Sequence, residues 1–261
     1  MKKYLEVYKI LAIHNFSSLI SSRLDFWLLI TGKLIRMGLV LLMIASIFNF
    51  VPVLAGYTRP QTLLFFATFN IIDILAQAIF FRGFWQIQTL VRSGDFDQIL
   101  RSPINNLFLS GFRIVDWMDI FTLIPAAAVL AYTFSLFPSI HWWFFFLYGL
   151  LVLNGVLIAF ALNVFIAALN FYTPETENAF LLYRDLMYTA RFPTEIFGEP
   201  LRLIFTLVLP ITVIVAFPAK AFLGILDWKW IWFAFALSSV LVFSSLKFWS
   251  ASLKHYSSAS S

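Results

Sequence analysis

Apolar residues run along this chain in long blocks separated by short polar intervals. A helix that crosses a bilayer needs about 20 mostly apolar residues. Six stretches meet that length, near 26–49, 61–81, 112–136, 142–170, 200–217 and 229–249. The fourth is long enough to tilt. The fifth is interrupted by Pro210 and closed by Pro218, so a break or kink is expected there. Before the first block, Tyr4, Leu5, Tyr8, Leu11, Ala12 and Leu19 share one side of a helix, while Lys3, Glu6, His14 and Ser17 lie elsewhere. That pattern predicts an interfacial helix over 1–25 lying in the membrane plane. The fold class expected is therefore all-α: a polytopic membrane protein with six transmembrane helices in one transmembrane domain over 1–261. A polar loop at 82–111 and a flexible Ser-rich tail at 257–261 complete it.

Composition agrees. Of 261 residues, 61% are hydrophobic and 12% charged, with mean hydropathy +0.89. A soluble domain runs near 45–50% apolar and about 25% charged, so the lipid bilayer must act as solvent for most of this surface. The net charge of +5 would suggest nucleic acid in a soluble protein. In a membrane protein it reflects basic residues pooled on the cytoplasmic side, and no nucleic-acid partner is expected. With the N-terminus inside, Arg82, Arg92, Arg101, Arg113, Arg184, Arg191 and Arg202 fall inside, against Arg59, Lys220 and Lys229 outside. Both termini are then cytoplasmic. So are the interfacial helix, the 82–111 loop and a polar segment at 171–199.

Catalytic chemistry finds no foothold. His14, His141 and His255 fall on different segments and both sides of the membrane, so no metal site is expected. Thr31-Gly32-Lys33 mimics the end of a phosphate loop, but Trp27 stands where its first glycine belongs. Glu175 and Glu177 lie two apart in a loop with no histidine to complete a metalloprotease site.

The stretch Arg92-Ser93-Gly94-Asp95-Phe96-Asp97-Gln98-Ile99-Leu100-Arg101-Ser102-Pro103 carries more information. Gly94 permits a sharp turn, Ser93 or Asp95 can cap a short helix, and Pro103 ends it. Phe96, Ile99 and Leu100 fall at i, i+3 and i+4. They form an apolar knob that either inserts into a groove on a soluble partner or rests on the lipid headgroups.

These residues resemble a family. A glycine, an acidic–apolar–acidic step and Leu-Arg before a proline, between the second and third of six spans, are similar to the bacterial ABC-transporter permeases of the type-two exporter class. The nearest group is the daunorubicin-exporter-like six-span permeases. Arg191-Phe192-Pro193, Pro210 and Phe217-Pro218-Ala219 resemble that group's Arg-aromatic-Pro, mid-span Pro and aromatic-Pro-Ala series. Ser102 departs from it, since the group often has Arg directly before Pro. The resemblance implies a multi-pass permease of the bacterial inner membrane that exports an amphipathic drug, lipid or similar substrate. It implies a separate cytoplasmic ATPase that holds ATP and magnesium, with no cofactor on this chain. It also implies a second permease, identical or sister, and a stroke transmitted through Gly94, Asp95, Phe96, Asp97, Ile99, Leu100, Arg101 and Pro103.

Charges inside the spans support an inference without the family. Ionisable groups in a bilayer usually pair or line a path. At about 1.5 Å per residue, Arg36 and Asp73 reach similar depths, and so do Lys33 and Asp119. Arg36 is therefore expected near Asp73, and Lys33 near Asp119 or Asp116. Such pairs lock a bundle. Alternatively, Arg36, Asp73 and Asp119 would serve as the relay of a gradient-driven carrier or channel.

Overall fold

Polar residues set where three of the apolar runs begin their helices. The Thr58 backbone N–H donates to Gln61 Oε1 at 2.9 Å, with Pro60 in the first turn, at the start of Arg59–Ala76. Asp116 Oδ1 accepts from the Met118 N–H at 3.0 Å and starts Trp117–Ser135. His141 Nδ1 accepts from the Trp143 N–H at 3.3 Å and starts Trp142–Leu169. The computed structural model describes residues 2–21, 23–173 and 177–256, which form helices and turns without a β-strand. The expected tail at 257–261 and Glu175 lie outside the described residues.

In chain order the helices are α1 (Lys2–Ser21), α2 (Arg23–Phe50), α3 (Arg59–Ala76), α4 (Arg82–Trp85), α5 (Ile87–Ser93), α6 (Phe96–Arg101), α7 (Asn106–Phe112), α8 (Trp117–Ser135), α9 (Trp142–Leu169), α10 (Glu177–Thr189), α11 (Glu199–Leu203), α12 (Phe217–Phe222) and α13 (Trp228–Ser252). A wide π turn at Gln77–Phe81 joins α3 to α4, so that Arg59–Ser93 forms one long span. Five helical spans are long and apolar enough to cross a membrane: Phe26–Phe50, Arg59–Ser93, Trp117–Ser135, Trp142–Leu169 and Trp228–His255. They alternate between two faces. One carries α1, α5–α7 and Tyr256, and is called here the terminal face. The other carries the turns between α2 and α3, α8 and α9, and α12 and α13.

The expected fifth span at 200–217 takes a different form. Residues 177–196 run antiparallel to the second span through its full depth. Phe180 packs on Phe81 and Trp85, Tyr188 on Phe69, and Glu195 accepts a hydrogen bond from Tyr57 Oη at 3.2 Å on the far face. The chain is therefore already across the bundle before residue 199. Glu199–Val208 and Thr212–Phe222 then meet at an 82° bend about Pro210. Lys220 pairs with Glu195, so the end of this bent pair returns to the far face. Its tip reaches mid-bundle, where a Cβ on Gly155 would stand 2.6 Å from the Ile214 carbonyl oxygen. The pair is a re-entrant hairpin, and the polar segment expected to stay at 171–199 on the cytoplasmic side rises through the bundle instead. With 177–196 rising beside the second span, the described residues pass between the two faces six times.

The core centres on α9, which packs on α3, α12, α13 and the hairpin. In lipid such packing is driven by close van der Waals fit and by interhelical hydrogen bonds. Asn154 Nδ2 donates to the Ala234 carbonyl at 3.2 Å, tying α9 to α13, while Asn163 Nδ2 donates back to the Ala159 carbonyl at 2.8 Å within α9. The first span is the outlier: only 11% of its apolar window is buried.

Candidate functional site

Two constellations on the terminal-face half of the molecule carry the residues singled out by sequence. The first is the corner formed by α5, α6 and α7. Gly94 closes α5 with φ +81°, a left-handed conformation that a side chain disfavours. Ser93 Oγ donates to Asp95 Oδ2 at 2.7 Å and Gln98 Nε2 to Asp95 Oδ1 at 3.2 Å, which knits the start of α6. Ser102 is extended, with ψ 141°, as the residue before Pro103 should be.

The apolar face of α6 does not point at solvent. Phe96 is 0% exposed and Ile99 4%. The Phe96 ring centroid lies 5.0 Å from that of Phe171 and 5.2 Å from that of Tyr256. Tyr256 Oη donates to Asp97 Oδ1 at 2.9 Å, and Trp249 Nε1 to Asn106 Oδ1 at 3.1 Å. Phe96, Asp97 and Ile99 therefore fasten α6 to the end of α9 and to the C-terminal helix. Leu100 remains outside, 41% exposed, among Arg92, Asp95, Gln98, Arg101 and Pro103. The three-residue apolar knob expected from spacing becomes a two-residue anchor and one exposed leucine. The physical reason is that the corner's deepest apolar surface belongs to its own bundle.

Helix α1 braces this corner. Lys3 Nζ donates to the Pro103 carbonyl at 2.9 Å, Trp117 Nε1 to the Ala12 carbonyl at 2.8 Å, and Asn15 Nδ2 to the Arg113 carbonyl at 3.1 Å. Arg113 donates to Gln86 Oε1 at 2.8 Å. Burial pushes the Arg113 guanidinium pKa down, opposed by the nearby Asp95 charge. The corner sits hard against the second span: a Cβ on Gly83 would stand 2.2 Å from the Gly111 carbonyl oxygen.

The second constellation lies inside the bundle. Lys33 Nζ stands 2.6 Å from Asp119 Oδ1, joining the first and third spans. Arg82 Nε stands 2.6 Å from Asp116 Oδ2, joining the second span to the start of the third. The depths of the spans offer Asp116 only to Lys33, because the hydropathy pattern puts Arg82 in the loop that follows the second span. Arg36 and Asp73 line the same cavity, but Arg36 Nη1 donates to Tyr188 Oη at 2.9 Å. Asp73 lines the cavity with Gln77 and Arg36, and the adjoining crevice with Arg36 and Arg191. Tyr188 belongs to α10, whose low hydropathy hid its place inside the membrane.

The remaining singled-out residues shape the outgoing chain. The Arg191 guanidinium lies 4.2 Å from the Tyr188 ring centroid and 5.2 Å from that of Phe69. Phe192 packs on the small cluster of Val40, Ile44, Leu63 and Phe66. Pro193 opens the short turn Thr194–Ile196 that leads to the hairpin. Pro210 stands at the hairpin's bend, and Pro218 lies in the first turn of α12. On the far face, Glu195 accepts from Tyr57 and from Lys220. Burial, and next the Glu195 charge, push the Tyr57 phenol pKa up, so Tyr57 stays a donor.

No group of His, Cys, Asp and Glu fit to hold a metal occurs among the described residues. A family model described as ABC-2 family transporter protein matches residues 34–260. No curated protein and no solved structure matches the chain.

Proposed function

The chain belongs to the ABC-2 transporter permease family, and from that premise we propose that it is the membrane half of an ATP-driven exporter whose ATPase docks on the α5–α7 corner. Membership makes it a multi-pass permease of an ABC transporter, a transport component that partners an ATPase subunit. The finer reading is ours. ATP and magnesium sit on the partner chain. The substrate is an amphipathic molecule moved outward. The terminal face is cytoplasmic in a bacterial inner membrane, as supported by Lys3, Lys9, Arg92, Arg101, Arg113 and Lys254 gathering there. A second permease, identical or sister, covers the nearly bare first span.

The observation that carries the docking site is the asymmetry of α6. Its apolar side is locked into the bundle by Phe96 and Ile99, while Asp95, Gln98, Leu100 and Arg101 project from the same face that α1 braces. A rigid, outward-facing polar ring with one apolar centre suits a protein partner better than lipid headgroups. It also passes a push directly to α9 and α13 through Phe171 and Trp249. The test is a photo-crosslinking residue placed in turn at positions 98, 100 and 101 in native cells. A covalent adduct with an ATPase chain is expected from these positions. Adducts to lipid alone, or none above background, overturn the docking site. The rival gradient-driven relay through Arg36, Asp73 and Asp119 is disfavoured by family membership and by the Lys33 ion pair that occupies Asp119.

A further inference from the structure

In the terminal-face half of the bundle, the first, second and third spans and α10 line an open-sided cavity of about 580 Å³. That volume is in the range of small-molecule sites. Two of its cations are already neutralised, Lys33 by Asp119 and Arg82 by Asp116. What remains is unbalanced. Arg36 lines it from the first span and Arg184 from α10, and Arg191 adjoins Arg36 and Asp73 in a connecting crevice. The Arg36 guanidinium lies 5.0 Å and the Arg191 guanidinium 4.2 Å from the centroid of the one Tyr188 ring. Asp73 lines the crevice beside both of them.

The donors are unfilled as well. Arg184 Nε and Arg191 Nε are buried without a hydrogen bond, although Arg184 Nε is 3.8 Å from Asp185 Oδ1. Arginine cannot shed its proton to escape such a site. Excess guanidinium charge at membrane depth is costly and marks a functional position. It is relieved by an anion that accepts from several N–H groups at once, as phosphate, sulfate and carboxylate do. Beside these charges the wall is apolar, with Phe81, Trp85 and the exposed Leu28 and Leu29 of the first span. An apolar tail therefore has a place to lie, toward the bilayer.

We propose that this cavity binds the anionic head group of an amphiphile, with Arg36, Arg184 and Arg191 holding the head and the first span flanking the tail. The inference rests on the permease reading for the position of the cavity in the membrane. The same chemistry is offered by an anionic phospholipid resident in the leaflet and by a separate transported amphiphile.

The test uses the full chain in phosphatidylcholine nanodiscs, without ATPase, titrated calorimetrically with dodecyl phosphate, dodecylphosphocholine and dodecyltrimethylammonium. Saturable binding of dodecyl phosphate alone is expected. Arg36→Gln and Arg191→Gln should each weaken it by about ten-fold or more, the worth of one charge-assisted contact. Arg36→Lys should keep most of the affinity that Arg36→Gln loses, and the arginine variants should melt with the unmodified chain, which separates lost binding from lost fold. Equal binding of the three head groups, or unchanged affinity in both arginine variants, overturns the proposal. Displacement of dodecyl phosphate by inorganic phosphate at equal concentration overturns the amphiphile. Nanodiscs containing phosphatidylglycerol separate the two sources. A raised apparent Kd identifies the resident lipid, and an unchanged one identifies a separate amphiphile; both support the anionic head group. A chain that crosslinks to its ATPase yet fails to bind dodecyl phosphate loses this inference and keeps the permease function.

Discussion

Replacing Phe96 by Ala should unfasten α6, whereas replacing Leu100 by Asp should leave the fold intact and remove the partner. The Phe96 side chain is fully buried between the Phe171 and Tyr256 rings. Truncating a buried phenylalanine costs about 3–5 kcal/mol, because the lost contacts leave a cavity that relaxes only in part. The neighbouring Trp249 ring packs 5.2 Å from Phe171, so tryptophan fluorescence reports the loosening. Leu100 is 41% exposed, and substitutions at such positions usually change stability by within about 0.5 kcal/mol. A charge at the centre of a docking patch nevertheless opposes desolvation of that patch. Thermal unfolding of the purified chain, followed by fluorescence, measures the first effect. Co-purification with the ATPase measures the second. Phe96→Ala should melt well below the unmodified chain, and Leu100→Asp should melt with it but lose the ATPase. Leu100→Asp melting early while Phe96→Ala melts normally would refute the reasoning, since the face of α6 would then be turned the other way.

The chain has no cysteine, so single-cysteine variants map its faces cleanly. In intact cells, Ser139→Cys, Asp227→Cys and Glu199→Cys should react with a membrane-impermeant maleimide, and Gln98→Cys should not. Protection of Glu199→Cys would restore 200–217 as a simple crossing. Gly155→Val should disrupt the seat of the re-entrant hairpin, because even a Cβ meets the Ile214 carbonyl at 2.6 Å. The expected result is poor expression or early melting, and unchanged melting counts against that contact. Lys33→Met should cost about 3–5 kcal/mol by stranding Asp119, and Lys33→Met with Asp119→Leu should recover most of it. Equal losses in the single and double variants would show that the pair is not coupled.

The charge arithmetic of the spans was legible in part. Helical rise alone brought Lys33 and Asp119 to one depth, and they meet. Arg36 and Asp73 were brought to one depth by the same arithmetic and line one cavity. Tyr188 takes the Arg36 hydrogen bond, which helical rise does not foresee because hydropathy puts Tyr188 in a cytoplasmic segment. Periodicity grouped Phe96, Ile99 and Leu100 on one side of a short helix. It carries no information about which way that side turns, and the helix is short enough for Leu100 to escape the seam that buries the other two.

By itself, then, the sequence determined that this is a helical membrane protein, where most of its crossings run, and that its polar corner gathers between the second and third spans. Those properties depend on transfer from water to lipid, which each residue contributes almost independently of its neighbours. Only tertiary structure decided which segment makes the fifth crossing. Residues 177–196 are too polar to qualify alone, yet Arg184, Tyr188 and Arg191 are sheltered by the second span and a polar cavity. Residues 200–217 are apolar enough to qualify, yet bend back at Pro210. Depth in the membrane is set by what a segment packs against, and that is not written in its own hydropathy.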